Sequence, residues 1–165
     1  MPPPEVLRFA LSGGMPNHPH LPALLYRGAV APQAGPAAQE TLFARSGWPP
    51  QWRDGVYDFH HFHSAAHEVL GIAGGGARLL LGGPSGQAVT VTAGDVVLLP
   101  AGTGHRLLEA TDEFLVVGAY PPGQSADIER GPATLAMIKR IAMLPFPNCG
   151  PVGPDETYER LWCKA

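Results

Sequence analysis

The sequence predicts an all-β protein folded as a single domain, with one short helix toward each end. Three observations carry that expectation. The 21 glycines and 19 prolines make up nearly a quarter of the 165 residues, while hydrophobic residues make up 45%. A chain this apolar buries a core, so its glycine and proline mark tight turns rather than disorder. The apolar residues fall in short runs that either alternate with a period of two or are apolar throughout, the patterns of half-buried and fully buried strands. The length suits one ordinary domain and is too short for two.

Taken in order, EVLRFAL (residues 5–11) reads as a first strand, and SGGMPNHPHLP as a loop whose prolines forbid regular structure. His18 and His20 form an H-x-H pair there, but the prolines around them argue against a strand, so they read as loop histidines rather than ligands. ALLYRGAV is a short apolar segment that packs this arm onto the core. AAQETLFARSGW reads as a helix with Leu42 and Phe43 on its buried side, stopped by Ser46 and Gly47. Trp48 and Trp52 flank PPQ and read as core lids or dimer contacts rather than as platforms for substrate.

The next strand alternates Tyr57, Phe59, His61 and His63 on one face against Asp58, His60 and Phe62 on the other. An outward Phe62 implies a covered outer face. EVLGIA and ARLLLGG follow as strands, with GGG between them as a hairpin turn that needs positive φ. QAVTVT sets Val89 and Val91 against Thr90 and Thr92. DVVLL is apolar on both faces, PAGTG reverses the chain, and DEFLVVGAY is the last strand of the core. ATLAMIKRIAML places Leu135, Ile138 and Ala142 at helical spacing, and the proline-punctuated tail is anchored by Leu161 and Trp162. No internal repeat or linker is present.

The stretch from Gly55 to Gly75 holds the chemistry. His61 and His63, two apart on a strand, project to one face and can share an ion; Glu68 follows a short segment, SAAH, that can turn a carboxylate back to the same point. An isolated H-x-H is more often a hydrogen-bonded pair than a chelate. Here a second island, GDVVLLPAGTGHRLLE, adds His105 just after a glycine-rich turn. Imidazole with carboxylate suits Fe, Mn, Ni, Co or Zn rather than Ca or Mg. His67, beside Glu68, either orients a ligand through a hydrogen bond or faces outward, and both readings stay open. Asp58 and His60 face away from the ion and are poor catalytic candidates.

These islands resemble the paired motifs of the cupin superfamily. G-x5-H-x-H-x4-E-x6-G is met at Gly55, His61, His63, Glu68 and Gly75; G-x5-P-x-G-x2-H is met at Gly94, Pro100, Gly102 and His105, with Glu109 where the motif ends in Asn. A salt bridge to a nearby arginine is the expected role of Glu109. PNHPHLPALLYRG, GWPPQWRDGVYDFHHFHSAAHEVLG, PAGTGH, GAYPPGQ and the terminal LW narrow the resemblance to the YjlB-like bacterial cupins. NCGPVG, the loop of Cys149, departs from that group's acidic pattern. The resemblance implies a double-stranded β-helix, or jelly-roll barrel, with one metal held by His61, His63, Glu68 and His105. Residues 1–50 would then form an N-terminal arm, 51–122 the metal-binding barrel core, and 123–165 a C-terminal helix and tail.

Net charge is −3 with no basic block, which excludes a nucleic-acid footprint, and no stretch approaches a membrane span. The N-terminus lacks a basic and apolar leader pattern, so the expected location is the cytoplasm, where Cys149 and Cys163 stay reduced. The expected partners are a small-molecule ligand and a second copy of the chain, the dimer being inferred from Phe62, Trp48 and Trp52 as apolar surface. The expected function is a metal-dependent enzyme on a small oxygen-rich or carboxylated molecule. The alternative is a non-catalytic small-molecule-binding or metal-sensing cupin.

Overall fold

The structure, a computed structural model, describes residues 2–164. Its strands are β1 (Glu5–Leu7), β2 (Ala23–Tyr26), β3 (Pro50–Asp54), β4 (Glu68–Gly74), β5 (Gly76–Leu81), β6 (Gln87–Thr92), β7 (Val96–Leu99), β8 (His105–Ala110) and β9 (Leu115–Ala119). The helices are α1 (Pro36–Arg45), α2 (Leu135–Met143) and α3 (Glu156–Tyr158), which runs on into a π-helical turn, Glu159–Cys163. The strands form two antiparallel sheets, ordered β1-β2-β7-β4-β9-β3 and β6-β5-β8.

The expected barrel is an open two-sheet sandwich. Among the described residues no ladder joins the two sheets, whose inner faces meet in one core: Leu25, Leu70, Ile72 and Val97 from the larger sheet against Ala77, Leu79, Leu81, Val89 and Val91 from the smaller. The GGG segment accordingly closes no hairpin. β4 already has β7 and β9 as partners, so the chain leaves its sheet at Gly75 (φ 62°) and starts β5 in the other. A side chain at Gly75 would run into Thr111 and the backbone around Phe114, which is why the corner requires glycine.

The outer face of the larger sheet is also buried. Leu24, Tyr26, Val69, Val96, Leu98 and Val117 pack there against Leu42 and Phe43 of α1, Trp48, and Tyr158 and Trp162 of the tail. This accounts for the uninterrupted apolar character of β7. β2 pairs with β7, so the N-terminal segment supplies two strands of the sheet, and β1 ends at Leu7 instead of running to residue 11.

Two expectations about apolar surfaces are corrected. The stripe Leu135, Ile138, Ala142 of α2 faces outward, with Leu135 68% and Ile138 44% exposed; Ile141 is the buried residue, with Met137 and Leu144 beside it. The helix carries two apolar stripes, and the one that fits against Phe62, Met15 and Ala101 is the one that docks. Phe62 and Trp48 are fully buried inside the chain, so the grounds first given for a dimer are gone. Among the described residues no helix is long and apolar enough to cross a membrane, and Cys149 and Cys163 are free thiols.

Candidate metal centre

Residues 57–63 form no regular strand, yet they lie antiparallel beside β8. Leu107 N donates to Tyr57 O at 2.8 Å, His105 N to His61 O at 2.9 Å, and His61 N back to His105 O at 3.2 Å. On the other side Phe62 exchanges a pair of backbone bonds with Glu129. Held from both edges, the segment keeps its two-residue alternation: the Tyr57 and Phe59 rings stack at 4.9 Å, and His61 contacts both edge-on, while Phe62 points into the α2 side.

One donor atom from each of His61, His63 and His105 lies within 4.8 Å of the others, and all three side chains are buried. Glu68, at the start of β4, places Oε1 3.2 Å from His63 Nε2 and 3.3 Å from His105 Nε2. All four side chains face one cavity. The four sequence-derived ligand residues are thus neighbours, with Glu68 touching two of the three imidazoles.

The second ring nitrogens decide what this cluster can hold. His61 Nδ1 lies 3.0 Å from Phe59 O, His63 Nδ1 2.5 Å from Asp127 O, and His105 Nδ1 2.9 Å from Thr103 O. A carbonyl only accepts, so each Nδ1 carries hydrogen, and each ring, when neutral, turns an Nε2 lone pair inward. Lone pairs converging beside a carboxylate repel unless a positive charge sits among them. Atoms bound about 2.0–2.2 Å from a shared ion lie roughly 3 Å apart when adjacent, which matches the Glu68 contacts. The residues fit a divalent transition ion.

In the metal-free chain a proton on an Nε2 faces Glu68 in place of an ion, and the same geometry shifts the titrations. Burial works against ionisation of Glu68, but the charge of His63 and hydrogen bonds from His105 and His63 outweigh it and hold the carboxyl well below its usual range. Burial also opposes charge on His63, yet Glu68 and the Asp127 carbonyl push it up to about 9. His61, desolvated and beside His105, is lowered to about 3 and stays neutral.

Asp127 is a part of the site that sequence reasoning missed. Its carboxylate accepts from Ser64 N (2.8 Å), Ser64 Oγ (2.5 Å) and Ala65 N (2.9 Å), gripping the turn that follows His63, and its own carbonyl orients the His63 ring. Arg140 of α2 donates to Ser64 Oγ at 3.0 Å, tying the helix to the same turn. Nothing local in residues 124–130 marks this role. Tyr120 was legible by extending the alternation of β9: Val116, Gly118 and Tyr120 share the inner face, and the Tyr120 hydroxyl accepts from Trp52 Nε1 at 2.8 Å. Trp52 therefore belongs to the cavity wall rather than to a dimer contact.

His67 makes no hydrogen bond to any of the four ligand residues. It is fully buried, its Nδ1 accepts from Ala101 N at 2.9 Å, and its Nε2 donates to Leu144 O at 3.2 Å, with Phe146 and Trp162 against the ring. It ties the end of α2 to the turn before His105, in place of either role considered from sequence. Glu109 pairs with Arg78 at 3.5 Å, as expected. His18 is a loop histidine whose Nδ1 accepts from the backbone of His20 and Leu21.

The cavity over the cluster measures about 460 Å³. Beyond the four ligands its walls are Trp52, Asp54, Gly55, Val56, Tyr57, Leu70, Tyr120, Ala126 and Ile128. Gly118 makes room for one wall: it pairs with Trp52 across β3 and β9, and a Cβ there would enter the indole ring.

The chain is 35% identical over 159 residues to the uncharacterized protein YjlB of Bacillus subtilis, with 94% of each chain covered. Among solved structures, a DUF861 family protein of Thermotoga maritima aligns over 52% of this chain and 91% of its own, at 20% identity and a TM-score of 0.36. Streptomyces albus HEPD with 2-hydroxyethylphosphonate and Fe(II) bound aligns over 88% of this chain and 25% of its own, at 15% identity and a TM-score of 0.30. The family model described as Cupin matches residues 34–140, which include every residue of the histidine cluster, and the chain belongs to the cupin family.

Proposed function

We propose that this chain is a metal-dependent enzyme acting on a small oxygen-rich or carboxylated molecule, of the dioxygenase, isomerase or decarboxylase type. Fe, Mn, Ni, Co or Zn would be held by His61, His63, Glu68 and His105. The observation that carries the reading is that these donors form the floor of the 460 Å³ cavity instead of being sealed on all sides. Structural ions are closed off by protein ligands, whereas catalytic ones keep a side open. A bound ion there would supply Lewis acidity and a fixed point for substrate oxygens.

The chain's own residues do the rest. The carbonyls of Phe59, Asp127 and Thr103 keep the imidazoles aimed, and Glu68 offsets part of the ion's charge. Trp52 and Ile128 give the cavity apolar wall surface. Burial and the Glu68 charge push the Tyr120 phenol up to about 12, so it keeps its proton at neutral pH and can donate a hydrogen bond beside Glu68.

The test is a metal-by-substrate screen. Protein stripped of metal is reloaded with each of the five ions and assayed for O2 uptake, product formation and melting shifts with small carboxylates, diketones and sugar acids. Turnover with one ion and loss of it in His105→Ala is the expected result. One observation favours the second reading, a non-catalytic binding or sensing cupin: outside the metal donors, the titratable groups lining the cavity are Asp54, Tyr57 and Tyr120. That reading gives ion-dependent melting shifts with no turnover under any ion.

A further inference from the structure

We infer that the site selects a molecule with one oxygen-bearing, at most singly anionic head and an uncharged, apolar body, and that it rejects molecules with a second anionic group. The inference rests on the metal reading above and narrows its substrate class. The argument is the distribution of charge and polarity around the cavity. Among the described residues lining it there is no lysine or arginine, so a second carboxylate or a phosphate would find no cationic partner. Asp54 stands there instead, exposed, with no salt-bridge partner and one oxygen accepting from Gly55 N at 2.8 Å. A divalent ion beside Glu68 leaves one net positive charge on the floor, enough for a single anionic head. Beyond that, a second negative group would meet the like charge of Asp54 with no cation among the lining residues to offset it.

The walls between floor and rim give the second half. Trp52, Val56, Leu70 and Ile128 offer apolar surface and no hydrogen-bonding group toward the space except the Trp52 indole N–H, which is already committed to Tyr120. A polyhydroxylated body would lose its bonds to water there without replacing them. A flat or branched hydrocarbon body would instead exchange water for the Trp52 and Ile128 surfaces. Tyr120, whose oxygen accepts from Trp52, directs its O–H toward Glu68 at the floor, next to where the head would sit.

Three probes with a common 2-oxo acid head test this: pyruvate, phenylpyruvate and 2-oxoglutarate, titrated into the Co-loaded full chain by calorimetry, with the visible Co absorption reporting contact with the ion. Metal content is measured in the same samples and in His61→Ala. The expected result is phenylpyruvate binding at least tenfold more tightly than either other probe, and Asp54→Lys reducing the margin over 2-oxoglutarate at least fivefold. Asp54 is exposed, so that variant leaves the core untouched. Equal affinity for 2-oxoglutarate, equal affinity for pyruvate, or an unchanged margin in Asp54→Lys would each overturn the inference while leaving the metal site standing. If the wild-type chain retains no more cobalt than His61→Ala, the metal reading itself fails and the inference falls with it.

Discussion

Asp127 has the most easily measured role of any single residue. Its carboxylate holds the turn after His63 while its carbonyl holds the ring of His63, so the side chain positions a ligand it never touches. Groups that orient a metal-binding imidazole in this way are worth about 10–100-fold in metal affinity. Asp127→Ala is expected to lose that much in competition with a chelator, with little change in far-UV circular dichroism. Glu68→Gln removes the charge that raises His63, so the His63 resonance in the metal-free variant should titrate well below about 9. His67 gives a pH effect with the opposite sign. Burial lowers it from 6.5 to about 4, so below about pH 6.5 the unfolded chain takes up a proton that the folded chain refuses. The stability it protects is full above about 6.5 and is lost toward 4, at up to about 1.4 kcal/mol per pH unit. Melting curves in chelator between pH 7.5 and 4.5 should fall more steeply for wild type than for His67→Gln.

Between elements, the contact to probe is β3 against β9. Trp52 lies over Gly118, and a methyl group there must displace the indole. Gly118→Ala is expected to cost about 1–3 kcal/mol, as overpacked core positions do. It should also weaken phenylpyruvate binding without changing metal content, because β4, β8 and the 57–63 segment carry the donors and β3 carries only the wall. A melting curve and a metal assay on one sample check both halves. Helix α2 makes a related point: Ile141, Arg140 and Leu144 attach it to Phe62, Ser64 and His67, all within the ligand segment. Packing of the C-terminal region therefore bears directly on the site.

For the molecule as a whole, an ion that binds only the folded chain stabilises it by mass action, about 2.7 kcal/mol at a hundred times the dissociation constant. Reloading should raise the melting temperature, and His105→Ala should abolish the rise. Assembly is a separate question. A homodimer, proposed on the exposed Leu135, Ile138 and Met143 of α2, predicts twice the 17.4 kDa chain mass by light scattering at micromolar concentration; a mass near 17.4 kDa would remove the proposal.

Apart from β3 and β8, the sequence by itself determined the core strands from β4 onward, the buried sides of α1 and β6, and the four side chains that gather at the centre. Each of these follows from a local rule: a two-residue period puts His61 and His63 on one face, and a glycine-rich turn delivers His105. Only the tertiary structure decided which of two apolar stripes on α2 docks, that GGG crosses between sheets, that Phe62 and Trp48 are covered from within, that Asp127 completes the site and that Trp52 meets Tyr120. The physical reason is separation along the chain. Asp127 reaches Ser64 across 63 residues and Trp52 reaches Tyr120 across 68, and no local periodicity encodes a partner that far away.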